Sequence, residues 1–263
     1  MSIIGKVQSL WRYPVKSMRG EELEEGFMGF SGFYGDRLFA FTSSAAPKGF
    51  PYFTGREQSE MLRYRPRFRD PDQALRPTNL AEAERIAPGV TPVFAAPADF
   101  IVDVETPSGD VLAVDNPALI QKLREGLGDK HSLTLTRSER SMTDCRPVSV
   151  FSVQTARQLS EEIGADIDPR RFRANIYVDL ESAGGFGEDT FIGRSLRVGS
   201  KAVLSILERD PRCKMITLDP DTAESNGDVL RKVAKEHKGM AGVYGAVLVE
   251  GTVRTGDPIE LLN

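Results

Sequence analysis

The sequence predicts a mainly β fold with a few helices, of the α+β class. Two observations carry this: β-rich apolar runs joined by glycine-rich turns recur toward both ends, and helical periodicity is confined to short, separate segments. With 263 residues the chain exceeds what a single core ordinarily serves, so one large unit or two intimate domains are expected.

IIGKVQSLWRYPV and RLFAFTS are β-rich apolar runs, and the glycine-rich GFMGFSGFYGDR between them favours turns between short strands. From Arg69 to Asp99 proline and alanine dominate without either period, which predicts irregular connection. FIVDVETPSGDVLAV then gives two strand-like runs around Pro107-Ser108-Gly109-Asp110, a hairpin signal, and Pro117 opens a helix ending near Gly126. After PVSVFSV, Ala156, Leu159 and Ile163 share one face of a helix from Thr155 to Ile163, stopped by Gly164. A further helix is expected from Asp228 to Lys238, with Val229 and Val233 as its stripe and Gly239 as terminator. The tail, GVYGAVLVEGTVRTGDPIELL, reads as two strands joined near Glu250-Gly251.

A net charge of -4 without long single-sign runs argues against a general nucleic-acid binder. Cys145 and Cys213 are too few for a disulfide framework and lack the paired spacing of a zinc or iron–sulfur site, which points to a reducing compartment. No signal-peptide core or membrane-length apolar window occurs, so a cytoplasmic protein with no membrane partner is expected.

There is no G-x-x-x-x-G-K-[ST], H-E-x-x-H or G-x-S-x-G signature, and GGFGED at 184–189 reads as a turn. His131 and His237 stand apart among charged neighbours, where surface roles are expected. What remains is polar residues where strand ends meet loops: YPVKSMRG, GDR, RRFRANI and DPRCKMITLDPDT. Lys16 and Ser17 offer a point charge and a hydroxyl suited to a phosphate, and Arg37 and Arg173 add planar forks. Taken singly, each reads first as an ordinary surface salt bridge. Asn175, two residues after Arg173 in the strand-like FRANIYVD, is expected on the arginine's face. Arg212 and Lys214 flank Cys213, and positive potential favours a thiolate that ligates soft metals or attacks electrophiles. A small buried packing residue is the other reading, and both stand open. Cys145 has one arginine beside it and reads as structural.

Together these segments resemble a family. YPVKSMRG and GDRLFAF are similar to the N-terminal β-barrel module that accompanies MOSC domains, and RRFRANIYVD, RDPRCKMITLDPDT and GTVRTGDPIELL are similar to the MOSC domain itself. The resemblance spans nearly the whole chain. It implies an N-terminal β-barrel-like module over 1–115 packed against a MOSC β-barrel domain over 116–263 with peripheral helices. It also implies a molybdenum cofactor, a pterin dithiolene with a terminal phosphate, as in amidoxime-reducing proteins and bacterial MOSC proteins that detoxify N-hydroxylated bases; an association with pyridoxal phosphate also attaches to the family. By that resemblance Cys213 is the catalytic thiolate on molybdenum, and Lys16, Ser17, Arg37, Arg173 and Asn175 bind phosphate and pterin. Ser152 and Thr155 fall where the family has short hydroxyl residues near the cofactor, although helix capping accounts for them equally. Thr217 and Asp219 follow Cys213 as in the family, while Ile216 stands where many relatives carry another threonine. The implied reaction is N–O reduction of a small N-hydroxylated substrate. Two cysteines cannot supply the four thiolates of a [2Fe–2S] cluster, so electrons are expected from a separate ferredoxin- or cytochrome-type protein. The alternative is a carrier of sulfur or cofactor that uses a Cys213 persulfide.

Overall fold

A computed structural model of the chain describes every residue except 1, 84, 86–99, 126, 128–131, 182 and 263. Its centre is a closed barrel of seven strands. Around the ring run Ile176–Leu180, Val148–Ser152, Met240–Val249, Ala202–Pro211, Ser195–Val198, Pro258–Leu262 and Ser2–Arg12, and the last pairs back onto the first. Every backbone edge is thereby paired. Alternate residues point inward, so that Val7, Leu10, Val178, Leu204, Ile206, Val243 and Ile259 fill the interior.

The ring is closed by the strand that comes first in sequence. Ser2–Arg12 bridges two antiparallel neighbours, and its register shifts between Ile3 and Gly5 on one side and between Val7 and Ser9 on the other. Such bulges bend a strand around a barrel. Gly5 sits against the neighbouring backbone, where a Cβ would collide with the carbonyl oxygen of Asp179.

Beside the barrel are three small sheets of three strands each. Leu133–Arg137, Phe39–Ser43 and Tyr52–Phe53 form one, and Arg65–Phe68, Val102–Glu105 and Val111–Ala113 form another, which contains the expected hairpin. Phe41, Phe53, Met61, Phe68, Val104, Leu119 and Leu123 make a second core among them. The last two belong to the helix Pro117–Arg124, capped by Asn116, whose expected end at residue 126 lies outside the described residues. That helix and Leu133–Arg137 pack with the N-terminal sheets.

The third small sheet corrects the reading of the tail. Met240–Val249 stops before Glu250, and Gly251–Arg254 leaves the barrel to pair with Glu25–Gly29, itself paired with Gly32–Phe33, while Pro258–Leu262 returns to the ring. Three strands stand where two were expected. Alternation reveals strands but not their partners, and only the close approach at Gly251, where a Cβ would lie 2.9 Å from Ala202 N, marks the exit.

The helix Val153–Ile163 starts at the cap Ser152 and stops at Gly164 in the left-handed region, φ 75°. Gly227–Glu236 is capped by Asn226. Both bury their apolar stripes, with Leu159, Val229 and Val233, against Phe151 and Phe172, whose rings stack at 4.2 Å. Within 69–99 a short helix, Leu80–Ala83, is described, and the irregular stretch expected over 86–99 lies outside the described residues. No helix among the described residues is long and apolar enough to cross a membrane. Gly5→Val should lower the free energy of unfolding in urea by about 2 kcal/mol or more, because the barrel cannot relax around a branched side chain at its seam. Wild-type stability in that variant removes the close approach as a constraint.

Candidate functional site

Between the barrel and the N-terminal module opens a cleft of about 680 Å³. Lys16, Ser17, Arg37, Arg173 and Cys213 all line it, so five of the residues singled out in separate segments meet there.

Three of them take a backbone conformation that side chains disfavour. Ser17 has φ 65°, Arg37 φ 48° and Arg173 φ 52°, half of the six non-glycine residues with positive φ among those described. Each costs about 1–2 kcal/mol, a strain that persists only where surrounding bonds fix it. Those bonds are present at the two arginines. Arg37 N donates to Tyr13 O at 2.7 Å, and Arg37 Nη1 pairs with Asp36 at 2.5 Å. Arg37 Nη2 reaches Arg173 O at 2.9 Å, and Arg173 Nη2 reaches Met18 O at 2.8 Å. Both guanidiniums stack on Tyr13, Arg37 at 4.5 Å and Arg173 at 4.3 Å from the ring centroid. Burial pulls Arg173 down to about 10, with Arg37 adding repulsion against the favourable field of Tyr13. Asp36 instead holds Arg37 above its ordinary value despite burial. Lys16 Nζ donates to Met142 O at 2.7 Å and pairs with Asp144. Burial lowers its pKa, and Asp144 offsets only part of the effect.

Cys213 follows the strand Ala202–Pro211, opens the turn Lys214–Thr217 and is half-buried. Its two cationic neighbours are engaged elsewhere. Arg212 donates to Ala241 O at 2.6 Å and Phe172 O at 2.9 Å and pairs with Asp210 at 2.7 Å, while Lys214 donates to Arg56 O. Arg212 therefore fixes the segment that carries the thiol.

Asn175 corrects a local expectation. Arg173 ends the turn Pro169–Phe172 in the left-handed region, and the strand begins at Ile176, so the alternation that would place both residues on one face does not apply. Asn175 lies buried, receiving Ser149 N at 3.2 Å and donating to Trp11 O at 3.3 Å. Ser152 and Thr155 are away from the cleft lining. They enclose the buried Glu188, at 2.6 Å from Ser152 Oγ and 2.9 Å from Thr155 Oγ1, and Ser152 also caps its helix. Thr217 Oγ1 donates to Lys214 O, and Asp219 receives Asp221 N and Thr222 N, so both brace the turn that follows Cys213. Ile216 lines the cleft. His237 is more than a surface residue: it stacks on Phe186 at 3.9 Å and pairs with Glu162 at 2.7 Å. His131 lies outside the described residues.

Sequence reasoning missed Arg56, Arg171, Asp144, Asp210 and Tyr244, which also line the cleft. Arg171 and Asp210 sat inside quoted segments, whereas Arg56 and Asp144 carried no local signal. Arg171 spans to Thr217 O at 2.8 Å and Asp219 at 3.0 Å. Its Nε is buried without a partner, as is that of Arg56. Six cations thus line the cleft against Asp144 and Asp210, in a chain of net charge -4. No group of three or more metal-ligating side chains occurs among the described residues, so Cys213 is an isolated donor in a cationic wall.

Residues 137–260 match the family model of the MOSC domain, and residues 4–86 match that of the MOSC N-terminal beta barrel domain. The chain is a MOSC-domain protein. Mitochondrial amidoxime reducing component 2 of Bos taurus is 24% identical over 97% of this MOSC chain and 83% of its own. Among solved structures, the YuaD protein of Bacillus subtilis gives a TM-score of 0.48 at 14% identity, covering 98% of this chain and 94% of that one. YiiM of Geobacillus stearothermophilus gives 0.36 at 18% identity, covering 45% and 55%.

Asp210 makes the cleft's electrostatics measurable. Burial pushes its carboxyl up to about 6, against the pull of Arg212 and the Tyr244 hydroxyl; Asp144 adds to the rise and Arg37 opposes it. An unfolded aspartate titrates near 3.9, so the folded state holds more protons between about pH 4 and 6, and this group's contribution to stability declines as pH rises through that window. Asp210→Asn abolishes the decline, and the stability of the variant relative to wild type should rise by about 1–3 kcal/mol from pH 4 to pH 7. A difference that stays flat with pH rejects the raised carboxyl.

Proposed function

We propose that this MOSC protein binds a molybdenum–pterin cofactor in the cleft and reduces the N–O bond of small N-hydroxylated compounds, with electrons from a separate electron-transfer protein. The observation that carries the reading is the convergence of Cys213 with six cations in one cleft. The donor set fits the group: the unpartnered Nε atoms of Arg171 and Arg56 and the forks of Arg37 and Arg173 suit a phosphate, and a half-buried thiol suits a soft metal. The name of the bovine relative, an amidoxime reducing component, supports both the substrate class and a system of several proteins.

In this reading Lys16, Ser17, Arg37 and Arg173 hold phosphate and pterin, Arg56 and Arg171 extend the grip, and Cys213 ligates the metal. Asn175 works from beneath by fixing Ser149, which lines the cleft. Thr217 and Asp219 hold the turn of Cys213, and Ser152 and Thr155 hold the adjoining helix around Glu188. The bound cofactor supplies the two-electron chemistry, R–NHOH + 2 e⁻ + 2 H⁺ → R–NH₂ + H₂O. Asp210 holds a proton on its carboxyl below about pH 6, beside Tyr244 on the cleft wall. Two free cysteines, one exposed, support a reducing, cytoplasmic setting.

Protein purified from a host that makes the cofactor should contain stoichiometric molybdenum, and reduced viologen should drive benzamidoxime reduction where NADH alone does not. Cys213→Ser should abolish turnover and alter the metal's spectroscopic signature, whereas Cys145→Ser should preserve both. Undiminished turnover in Cys213→Ser removes the thiolate from the metal. Lys16→Ala and Arg173→Ala should each weaken cofactor retention by ~1.5–3 kcal/mol without unfolding the chain, read as molybdenum and pterin per protein after gel filtration. Full loading with no N–O reduction under any donor, together with transfer of labelled sulfur from Cys213, establishes the carrier reading instead.

A further inference from the structure

Apart from its closing Arg37, the glycine-rich stretch GFMGFSGFYGDR has no part in the proposed reaction, yet it builds a second cavity. Glycine recurs at 26, 29, 32 and 35, with aromatic residues at 27, 30, 33 and 34. Gly32, at φ 111°, turns the hairpin where a Cβ would lie 2.8 Å from Pro147 O, and this tight fold directs its aromatic side chains into one hollow of about 510 Å³. Phe27, Phe30, Phe33 and Tyr34 line it, together with Phe100. Tyr34 and Phe100 lie 4.9 Å apart, and Phe30, 39% exposed, stands at the rim.

The charge on its walls is of one sign. Among the described residues, Glu139 and Glu250 line the cavity, no lysine or arginine does, and neither glutamate has an ion-pair partner. Glu250 Oε1 accepts Phe30 N at 2.9 Å, which fixes the carboxylate against the aromatic rim. Asp36 is also on the wall, but Arg37 neutralises it from the cofactor side. The two cavities therefore back onto one aspartate with opposite polarity.

We propose that this cavity is a binding site for a small organic cation with an aromatic or apolar body. Ring faces attract a cation by their quadrupole, and the carboxylates of Glu139 and Glu250 add charge-assisted hydrogen bonds. The site does not depend on the cofactor reading and carries no chemistry of its own.

The test is isothermal titration of the full chain with phenethylammonium and benzyltrimethylammonium, with phenethyl alcohol as the neutral control. At least one cation should bind saturably, and the alcohol should bind roughly tenfold more weakly or not at all. The double variant Glu139→Gln, Glu250→Gln keeps an acceptor for Phe30 N, so it should unfold at the wild-type temperature and lose roughly tenfold in cation affinity. Phe30→Ala should weaken binding in the same direction. No saturable binding of either cation at millimolar concentration overturns the proposal. So does affinity unchanged in the double variant, or binding that is lost in Asp144→Asn, which would place the cation in the other cleft.

Discussion

Two guanidinium groups share the ring of Tyr13, and the geometry of the cleft depends on that stack. Like charges held this close repel, and in a buried setting the repulsion is poorly screened. What holds them is the π system they share and Asp36, fully buried, which accepts Tyr13 N at 2.8 Å and pairs with Arg37. Tyr13 Oη in turn reaches Ala174 O at 3.2 Å. One knot thus ties the end of the first barrel strand, the turn before Phe39 and the turn at Pro169–Phe172. Buried ion pairs seldom add net stability, because desolvation consumes most of the Coulombic gain. The knot is better understood as a positional device that aims Arg37 and Arg173 into the space occupied by Lys16 and Cys213.

The strain is part of the same device. Ser17, Arg37 and Arg173 enter the cleft from left-handed backbone, and together they cost a few kcal/mol against a net stability of about 5–15 kcal/mol for an ordinary domain. Such expense is tolerable because the two larger cores, one inside the barrel and one under the N-terminal sheets, are aromatic- and aliphatic-rich and lie on either side of the cleft. The first strand links them. It closes the barrel through Val7 and Leu10 and then delivers Tyr13, Val15, Lys16 and Ser17 to the junction. The junction is set by barrel closure, and the chain's earliest residues help to shape a site whose thiol is two hundred residues away.

This explains which features were legible in the sequence. Some helix limits were, because starters and terminators are local: Pro117 opens its helix and Gly164 stops another where expected, while the expected start at Thr155 falls two residues inside Val153–Ile163. Lys16, Arg37, Arg173 and Cys213 stood out because each lies in a short polar segment between β-rich runs. Partnership was not legible. The alternation of Ser2–Arg12 does not say that it pairs with Pro258–Leu262, and nothing in GTVR says that it pairs with Glu25–Gly29. Backbone sign was equally hidden, since arginine and serine give no warning of positive φ, and the misplacement of Asn175 follows from that alone. Arg56 and Asp144 belong to the cleft only through long-range folding. The recurrent glycines of GFMGFSGFYGDR announced turns, but the aromatic hollow arises only when those turns fold onto Phe100 and Glu250.

Bulk charge hid the site most thoroughly. A chain of net charge -4 gives no global attraction for an anion, yet its cleft gathers six cations against two carboxylates. The acid that balances the composition is therefore spent elsewhere, much of it in exposed pairs such as Arg69 with Asp103 that contribute little to stability. Inside the cleft, Lys16 and Arg173 both have lowered pKa values, chiefly from burial and partly from Arg37, so the protein holds its cations against their own desolvation and mutual repulsion. An anion bound among them relieves both costs at once. Binding to the folded state alone stabilises it by RT ln(1 + [L]/Kd), so occupancy of the cleft and integrity of the Tyr13 knot are linked quantities. A ligand seated between Lys16 and Arg173 reinforces the joint between the two modules, and whatever loosens that joint weakens the grip on the ligand.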